Sequence, residues 1–564
     1  MAESQVLSGI GASAGVAVGP VVLVKTVDVV VPSIVEPVAA FKAAIVDVTA
    51  DLVELAAAAR DRGHDEAAGV LEAQSLMVQD PMLVDAVVEA IDSPDSVGAA
   101  IDSVAGELVT MFEGFEDPYL AARAADVGEV ADRIRRKLAG AESPDLTALA
   151  RPSVLVAQTL TAAETSQLDP AQVLGFVTET GGPTSHVVII ARGLGVPAVV
   201  GAAGVTEAVS PGDRLGLDGS DGTVVVNPDS EHDVDFDLRA QRHAASVEAA
   251  EQWAGRRVAY GVADMGVAAN VASAADLARA IEVRADGIGL LRTEFLFLDR
   301  PEPPSEDEQY EFYAKAAQAF EDPVVIRTFD IGGDKPADYM TVAEEENPFL
   351  GVRGARLYKH YPEVFKTQIR AILRAALRGD IWLMLPMITT LDEVLQIKEQ
   401  ILAIAASMPA ADIRVPKIGV MVEVPAVALT ADAIAANVDF FSIGSNDLTQ
   451  YAMAADRMNG DLGYLQDPLH PAVLALCAFT AAAAKGAGIP VSVCGLAAAD
   501  PLGAAAFAAM GILKLSMSGG MVNQIKSTLG ALDPESGQAA AERALTTASA
   551  IGARDALLSW VDGT

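Results

Sequence analysis

The sequence is poor in cysteine and has no long uncharged apolar run. Two cysteines, Cys477 and Cys494, occur among 564 residues. They are too few for a disulfide framework, so a reducing cytoplasm is the expected location. No stretch of roughly 18 residues is apolar without charged or turn-forming residues, which argues against a membrane-spanning helix. The opening residues MAESQVLSGIG carry an early Glu and no basic-then-apolar run, so we expect no signal peptide.

Basic residues are also scarce. Lys and Arg number 39 against 77 Asp and Glu, which gives a formal net charge of −38 at pH 7. Nucleic-acid binding requires a basic footprint, so this class of function is excluded. The same charge repels anionic substrates at long range, and any anion site must therefore concentrate Arg or Lys locally. At roughly 150 residues per domain, the length corresponds to about two to four domains.

The first part of the chain alternates between strand-like and helical character. Residues 1–25 end in a predicted strand, and residues 145–227 contain short strand and helix patterns. We predict that these two segments form one small α/β domain. Between them, residues 30–140 predict an inserted bundle of about four helices, divided at Asp-Pro and Ser-Pro steps. Its first helix carries apolar residues at a 4-3-4-3 spacing: Phe41, Ile45, Val48, Leu52 and Leu55.

The remainder, residues 257–564, has a regular pattern. Short apolar runs recur between helical stretches at 267–270, 287–292, 324–330, 382–387, 418–424, 440–446, 490–495 and 513–518. Eight strands that alternate with helices predict a (β/α)₈ barrel of the TIM type. Residues 228–256 are polar and predict a helical linker. Chemistry in such barrels lies at the carboxyl ends of the strands, where Arg292, Arg327, Glu423, Asn446, Asp447 and Cys494 fall.

A glycine-rich turn precedes a histidine in GGPTSHVVIIARGLGVPAVVG (181–201), and an apolar helical run follows His186. A histidine beside a helix N-terminus can place a phosphate against free backbone N–H groups. Imidazole is nucleophilic near neutral pH and can carry a covalent intermediate. A TSH tripeptide alone is more commonly a capping turn with an incidental histidine, so the accompanying motifs are decisive.

The segment 181–201 resembles the phosphohistidine signature of the Enzyme I family, the phosphoenolpyruvate–protein phosphotransferases of the sugar phosphotransferase system. Further motifs resemble those of the family in the family's order: DPYLAARAADVGEVADRI (117–134), GIGLLRTEFLFLDR (287–300), RTFDIGGDK (327–335), NPFLGVRGAR (347–356), MVEVPA (421–426), SIGSNDLTQYAMAADR (442–457) and VCG (493–495). The resemblance implies phosphoryl transfer from phosphoenolpyruvate to His186 and then to the phosphocarrier HPr.

The resemblance also implies a role for Thr165, which would hydrogen-bond His186; a helix N-cap is the alternative reading. Arg292 and Arg327 are expected to bind the substrate, because planar guanidinium groups pair with phosphate and carboxylate. Arg353 either joins this cluster or forms a structural ion pair. The resemblance further implies that Asn446 and Arg457 hold the phosphate.

Glu423 and Asp447 end successive strands, and two such carboxylates suit Mg²⁺, with substrate oxygens and water completing the ligands. The alternative is a structural hydrogen-bond acceptor. Asp447 is also expected to contact the substrate. Cys494 matches the proton donor of the family's CGELAG-like motif, and a thiol can protonate enolpyruvate at carbon to give pyruvate. The family's acidic residue after Cys-Gly is Leu496 here. Cys477, in an apolar helical run, is expected to be inert.

The remaining expectations concern partners, oligomeric state and alternative functions. The resemblance implies that HPr docks on the helical insert and that the barrel forms a homodimer. The acidic charge and the lack of a long apolar run predict that neither nucleic acid nor a membrane takes part. A dikinase or phosphoenolpyruvate synthase would need a nucleotide-binding domain, for which the sequence shows no signature. The alternative is a non-catalytic or regulatory paralogue that binds phosphorylated partners.

Overall fold

The structure, a computed structural model, divides into two compact units, Met1–Ala245 and Ser246–Thr564. It describes residues 4–24, 29–61, 65–93, 96–113, 118–141, 149, 151–161, 164, 168, 169, 171–181, 188, 191, 195–210, 212–298, 300–332, 337, 339, 340, 345–457 and 459–561.

A mixed sheet of eight strands forms the α/β part of the first unit, in the spatial order β1-β8-β7-β3-β4-β5-β6-β2. Its strands are β1 (Gln5–Ser8), β2 (Ile10–Ser13), β3 (Val16–Val24), β4 (Ser153–Ala157), β5 (Val173–Thr178), β6 (Ala198–Val200), β7 (Arg214–Asp218) and β8 (Thr223–Val226). Val21 of β3 lies opposite Val154 of β4 in a parallel pairing. The segment before residue 25 therefore shares a sheet with strands that follow residue 150.

Five helices are described between β3 and β4: α1 (Pro37–Asp61), α2 (Asp65–Met77), α3 (Pro81–Ala90), α4 (Val97–Glu113) and α5 (Pro118–Ala139). They enclose their own core, which includes the fully buried Phe41 and Leu52. The sequence predicted about four helices; the difference is the division between α1 and α2, where no proline occurs.

After β4, helices with described bounds are α6 (Val205–Ala208) and α7 (Ser230–Glu251), the second of which continues across the division between the units. Helix α7 occupies most of the segment for which the sequence predicted a helical linker. No helix in the described part of the chain is long and apolar enough to span a membrane.

The second unit is a closed barrel. Its strands are β9 (Val258–Tyr260), β10 (Ala263–Val271), β11 (Ile288–Leu291), β12 (Val324–Arg327), β13 (Ile381–Leu385), β14 (Lys417–Val422), β15 (Phe441–Gly444), β16 (Val491–Cys494) and β17 (Lys514–Met517). Strands β10 to β17 are parallel neighbours, and β10 pairs with both β11 and β17, which closes the barrel. The eight predicted strands and the predicted barrel are confirmed.

Helices surround this barrel: α8 (Ala274–Glu282), α9 (Glu306–Ala319), α10 (Pro362–Ala375), α11 (Leu391–Ala406), α12 (Pro425–Leu429), α13 (Ala431–Ala435), α14 (Ser445–Met453), α15 (Pro471–Ala487), α16 (Leu496–Ala499), α17 (Pro501–Ala509), α18 (Val522–Ala531), α19 (Pro534–Leu545) and α20 (Ala550–Val561). Side chains alternate across each strand. Along β13, Ile381, Leu383 and Leu385 belong to the large core. Trp382 and Met384 belong to a separate small cluster that also contains Cys494. This second cluster fills the barrel interior.

Candidate active site

Two buried carboxylates hold the arginine at the end of β12. Arg327 is 5% exposed. Its guanidinium lies 3.0 Å from Glu294 Oε1 and 2.9 Å from Asp330 Oδ2. Burial by itself would lower the pKa of Arg327, but attraction by Glu294 and Asp330 outweighs it, and the pKa lies above its ordinary value. The arginine therefore stays charged and fixed in place.

Arg353 links this pair to the end of β15. Its Nη2 lies 2.9 Å from Asp330 Oδ2, and its Nη1 lies 3.3 Å from Asp447 Oδ1. Arg457 approaches the same Asp447 oxygen at 3.5 Å and lies over the ring of Phe349. The structure therefore brings Arg353, Asp447 and Arg457 into one connected network with Asp330.

Glu423 is fully buried next to this network. Its Oε1 accepts a 2.6 Å hydrogen bond from the Met387 N–H, whereas its Oε2 has no hydrogen-bond partner among the residues that the structure describes. Burial, followed by repulsion from Asp447 and Asp330, raises the pKa of Glu423 to about 8. A buried carboxylate oxygen without a donor is costly unless a cation takes it. Glu423 and Asp447 therefore fit a hard, oxygen-seeking divalent cation.

The described residues contain no group of three or more His, Cys, Asp or Glu side chains that would hold a metal ion. Two carboxylates from the chain would leave several coordination positions to substrate oxygens and water. Mg²⁺ is commonly bound in this way, so the donor set fits Mg²⁺ together with an anionic substrate.

The turn after β16 approaches the start of α14 closely. Asn446 Oδ1 accepts a hydrogen bond from the Leu496 N–H at 3.0 Å. Gly495, between Cys494 and Leu496, has a φ of 108°, and a Cβ there would lie 2.5 Å from Ser445 Oγ. A cavity of about 100 Å³ opens beside this turn. It is lined by Ser445, Asn446, Thr449, Gln450, Arg457, Gln466, Pro468 and Leu496.

Cys494 points into the barrel interior and is 2% exposed. Its thiol donates to the Ile443 carbonyl at 3.5 Å, and Ser442 Oγ lies 3.7 Å from Sγ. Burial raises the pKa of the thiol, so the sulfur carries a proton near neutral pH. Leu496, which replaces the family's acidic residue, is 74% exposed. It does not contribute a hydrogen bond to the thiol.

Arg292 follows β11 and differs from the other arginines of the site. Its backbone N–H donates to the Val271 carbonyl at 2.8 Å. Within the described parts of the chain, its guanidinium makes no ion pair or hydrogen bond. Its positive charge favours the thiolate of Cys494, which places it near the barrel interior. Arg292 is thus a cation available to a ligand.

His186 and Thr165 lie outside the described residues. Just before Thr165, Thr161 and Glu164 exchange hydrogen bonds in the manner of a capping box: the Thr161 N–H donates to Glu164 Oε2 at 2.9 Å, and the Glu164 N–H donates to Thr161 Oγ1 at 3.2 Å.

Sequence reasoning missed three residues of the site: Glu294, Asp330 and Ser442. Glu294 and Asp330 lie within the quoted motifs, two residues after Arg292 and three after Arg327. Acidic residues so close to strand-end arginines were an available signal. Ser442 gave no signal, because its contact with Cys494 depends on the pairing of β15 with β16.

Three matches with known families cover most of the chain. Residues 247–533 match the PEP-utilising enzyme, PEP-binding domain. Residues 8–123 match the PEP-utilising enzyme, N-terminal family, and residues 149–222 match the PEP-utilising enzyme, mobile domain.

Individual relatives are similar over nearly the whole chain. A phosphoenolpyruvate-protein phosphotransferase of Haloferax volcanii is 42% identical over 492 residues, which covers 86% of each chain. Relatives with the same description from Bacillus sp. (strain S) and Geobacillus stearothermophilus are each 36% identical over 574 residues. These alignments cover 100% of this chain and 98% of each relative.

Proposed function

The chain belongs to the phosphoenolpyruvate-protein phosphotransferases, which are transferases, and we propose that His186 carries the phosphoryl group in its reaction. The observation that supports a catalytic reading most strongly is the buried network at the carboxyl ends of the barrel strands. Arg327, Arg353, Glu423 and Asp447 are all less than one-tenth exposed. A merely structural cluster would not leave Glu423 Oε2 without a partner, and within the described ranges this oxygen has none. The retained charged residues also do not favour a non-catalytic paralogue.

Phosphoenolpyruvate presents a phosphate and a carboxylate, and the site offers cations to both. The guanidinium of Arg292, which has no ion pair among the described residues, and the guanidinium of Arg327, which two carboxylates hold in place, suit bidentate pairing with these groups. Asn446 and Arg457, which both border the cavity of about 100 Å³ beside the Gly495 turn, would hold the phosphate. Because the chain carries a net charge of −38, this local concentration of arginine is needed to attract a trianionic substrate.

Glu423 and Asp447 would hold Mg²⁺, which when bound would offset the negative charge of the substrate in the transition state. The raised pKa of Glu423 reflects the same electrostatic demand, because two carboxylates close together in a buried site favour a cation between them. Arg353 would act as a positioning residue that keeps Asp447 directed at the site.

The proposed chemistry has two steps. His186 attacks phosphorus, the bond between phosphorus and the enol oxygen breaks, and an N–P bond forms. The enolate then takes a proton at carbon from the Cys494 thiol to give pyruvate, and water returns a proton to the thiolate. The buried thiol suits this role because it remains protonated near neutral pH.

We further propose that phosphorylated His186 passes the group to HPr docked on helices α1 to α5. His186 must then visit two sites, which requires a domain movement. A homodimer formed through the barrel and a cytoplasmic location belong to the same proposal. They are supported by family membership and by the two-cysteine composition of the chain.

Labelled phosphoenolpyruvate tests the proposal directly. Wild-type protein incubated with it and Mg²⁺ should acquire acid-labile, base-stable phosphate and transfer this label to added HPr. His186→Ala should acquire none, whereas His243→Ala on α7 serves as a matched histidine control and should be labelled normally. Labelling of His186→Ala would refute the proposed nucleophile, and absence of label from folded wild type would refute the catalytic reading.

A further inference from the structure

A buried glutamine lies behind the site, on one of the helices that surround the barrel. Gln368 belongs to α10, which lies between β12 and β13 in the chain, and its side chain is fully buried. Burial of an amide costs free energy unless its polar atoms have hydrogen-bond partners. The groups that bind the Gln368 amide therefore indicate what this side chain does.

The Gln368 amide joins the two loops that carry the proposed substrate-binding arginines. Its Oε1 accepts a hydrogen bond from the Phe329 N–H at 3.0 Å. Its Nε2 donates to Thr293 Oγ1 at 3.1 Å. Thr293 directly follows Arg292, and Phe329 lies two residues after Arg327. One side chain thus holds the loop after β11 and the loop after β12 together.

The Thr293 hydroxyl extends this connection across the two strand ends. It is fully buried and donates to the Arg327 carbonyl at 3.0 Å. In the same two loops, the Asp330 N–H donates to Glu294 Oε1 at 2.8 Å, and this oxygen lies 3.0 Å from the Arg327 guanidinium. The positions that Gln368 and Thr293 fix therefore determine where Arg327 lies relative to its carboxylate partners.

The donors and acceptors around Gln368 fix the orientation of its amide. The Phe329 N–H can only donate, so the amide atom that faces it is the oxygen. Thr293 donates its own hydrogen to a backbone carbonyl, so it accepts from Nε2. Nε2 also donates to the Tyr313 hydroxyl at 3.2 Å, and that hydroxyl donates to Gln309 Oε1 at 3.2 Å. Both hydrogens and the oxygen of one amide are thus used in a single arrangement.

We propose that Gln368 is a positioning residue for phosphoenolpyruvate binding. Its amide holds the loops after β11 and β12 in the arrangement that directs the guanidinium groups of Arg292 and Arg327 at one substrate. Gln368 acts through Thr293 and Phe329, without touching the reacting atoms. This inference rests on the proposed function. Misplacement of a group by about 1 Å can cost an enzyme about 100-fold, so small shifts of these loops should be measurable.

Calorimetric titration with phosphoenolpyruvate and Mg²⁺ tests the proposal in a His186→Ala parent, which lacks the proposed phosphoryl acceptor and so does not consume the ligand. Gln368→Met keeps the length of the side chain and removes its hydrogen bonds, and it should weaken binding at least tenfold. Thr293→Val should also weaken binding. The double variant should lose less than threefold beyond Gln368→Met, because the two residues share one hydrogen bond.

Tyr313→Phe and Gln74→Met are matched controls. Tyr313→Phe removes only the hydroxyl on α9 and keeps the contacts of Gln368 with both loops, so its affinity should stay within threefold of the parent. Gln74 is also a fully buried glutamine, on α2, and its Nε2 donates to Asp126 and Glu129. Gln74→Met should lose stability and keep the parent's affinity.

Kinetics with His186 present separate positioning from a general loss of structure. Gln368→Met should raise the KM for phosphoenolpyruvate at least tenfold and lower kcat no more than threefold, because the proposed role is in substrate binding. A merely structural role would lower the amount of active protein, and therefore the apparent kcat, at an unchanged KM. A lowered kcat with an unchanged KM would overturn the proposal.

Two binding results would also overturn it: unchanged affinity in Gln368→Met, or equal losses in Gln368→Met and Tyr313→Phe. Either result, in a parent that binds phosphoenolpyruvate, refutes the positioning role alone. No binding by the folded His186→Ala parent would refute the proposed function and this inference with it. If Gln368→Met does not fold, Thr293→Val decides the outcome, and unchanged affinity in that variant would overturn the proposal.

Discussion

The Met387 N–H donates a 2.6 Å hydrogen bond to Oε1 of Glu423. Met387 does so from the left-handed region, with a φ of 54°, which costs a residue with a side chain about 1–2 kcal/mol. The turn after β13 thus fixes one oxygen of the carboxylate that follows β14. The other oxygen, Oε2, meets no donor in the described part of the chain. Backbone strain at a functional site commonly serves to position a group in this way.

Glu423→Gln should reduce Mg²⁺-dependent labelling of the protein by at least 100-fold, because the amide keeps the acceptor for Met387 but loses the negative charge that a cation needs. Initial labelling rates as a function of Mg²⁺ concentration give the result. Glu363→Gln, on the exposed surface, is the control and should behave as wild type. A Glu423→Gln rate within threefold of wild type at every Mg²⁺ concentration would exclude Glu423 as a metal ligand.

Stability without metal should fall as pH rises. The pKa of Glu423 is raised from 4.5 to about 8 in the folded protein, so between these values the folded state holds a proton that the unfolded state has lost. The free energy of unfolding therefore decreases through this window. Thermal midpoints in a chelator at pH 5 and pH 8.5 should fall further in wild type than in Glu423→Gln. Parallel decreases in the two proteins would contradict the raised pKa, and added Mg²⁺ should reduce the wild-type loss.

Gly495→Ala should raise the KM for phosphoenolpyruvate at least tenfold. At a φ of 108°, the added Cβ would lie 2.5 Å from Ser445 Oγ and 2.9 Å from Asn446 Oδ1, which displaces a proposed phosphate ligand. Gly488→Ala is a matched control, since Gly488 has a φ of 70° and open space around its Cβ position. The control should lose some stability and keep its KM. Equal KM values in the two variants would show that the Gly495 turn does not position Asn446.

Cys494→Ala should slow pyruvate formation at least 100-fold while leaving phosphoenolpyruvate binding within threefold of wild type, because it removes the proposed proton donor and no substrate contact. Cys477→Ala is the natural comparison: Cys477 is also fully buried, and burial raises its pKa to about 12, but it lies on α15 outside the barrel interior. The turnover of Cys477→Ala should match that of wild type. Comparable turnover in both cysteine variants would assign proton donation to another group.

Much of the architecture could be predicted from the spacing of apolar residues along the sequence. Eight apolar runs between helical stretches predicted the eight strands β10 to β17, since buried parallel strands must be apolar on both faces. The helical character of the insert followed from spacings such as that of Phe41 and Ile45. The number of its helices did not follow from the sequence, because no proline lies between Asp61, the last described residue of α1, and Asp65, the first residue of α2.

The motifs around Arg292, Arg327, Glu423 and Asp447 also placed charged residues at the ends of predicted strands. Parallel strands in a barrel present their carboxyl ends at one edge, so these residues were expected at the same end of the domain. The sequence by itself therefore determined the barrel, the end of the barrel at which the charged residues gather, and the types of those residues.

Tertiary structure alone decided which of those residues meet. Arg353 reaches both Asp330 and Asp447, and these three residues are separated by long intervals of sequence. The same is true of Trp382, whose ring lies under the ammonium groups of both Lys417 and Lys514. Contacts across a closed barrel depend on strand register and on side-chain direction within a crowded interior. No local pattern encodes them, whereas secondary structure and strand ends follow from local periodicity.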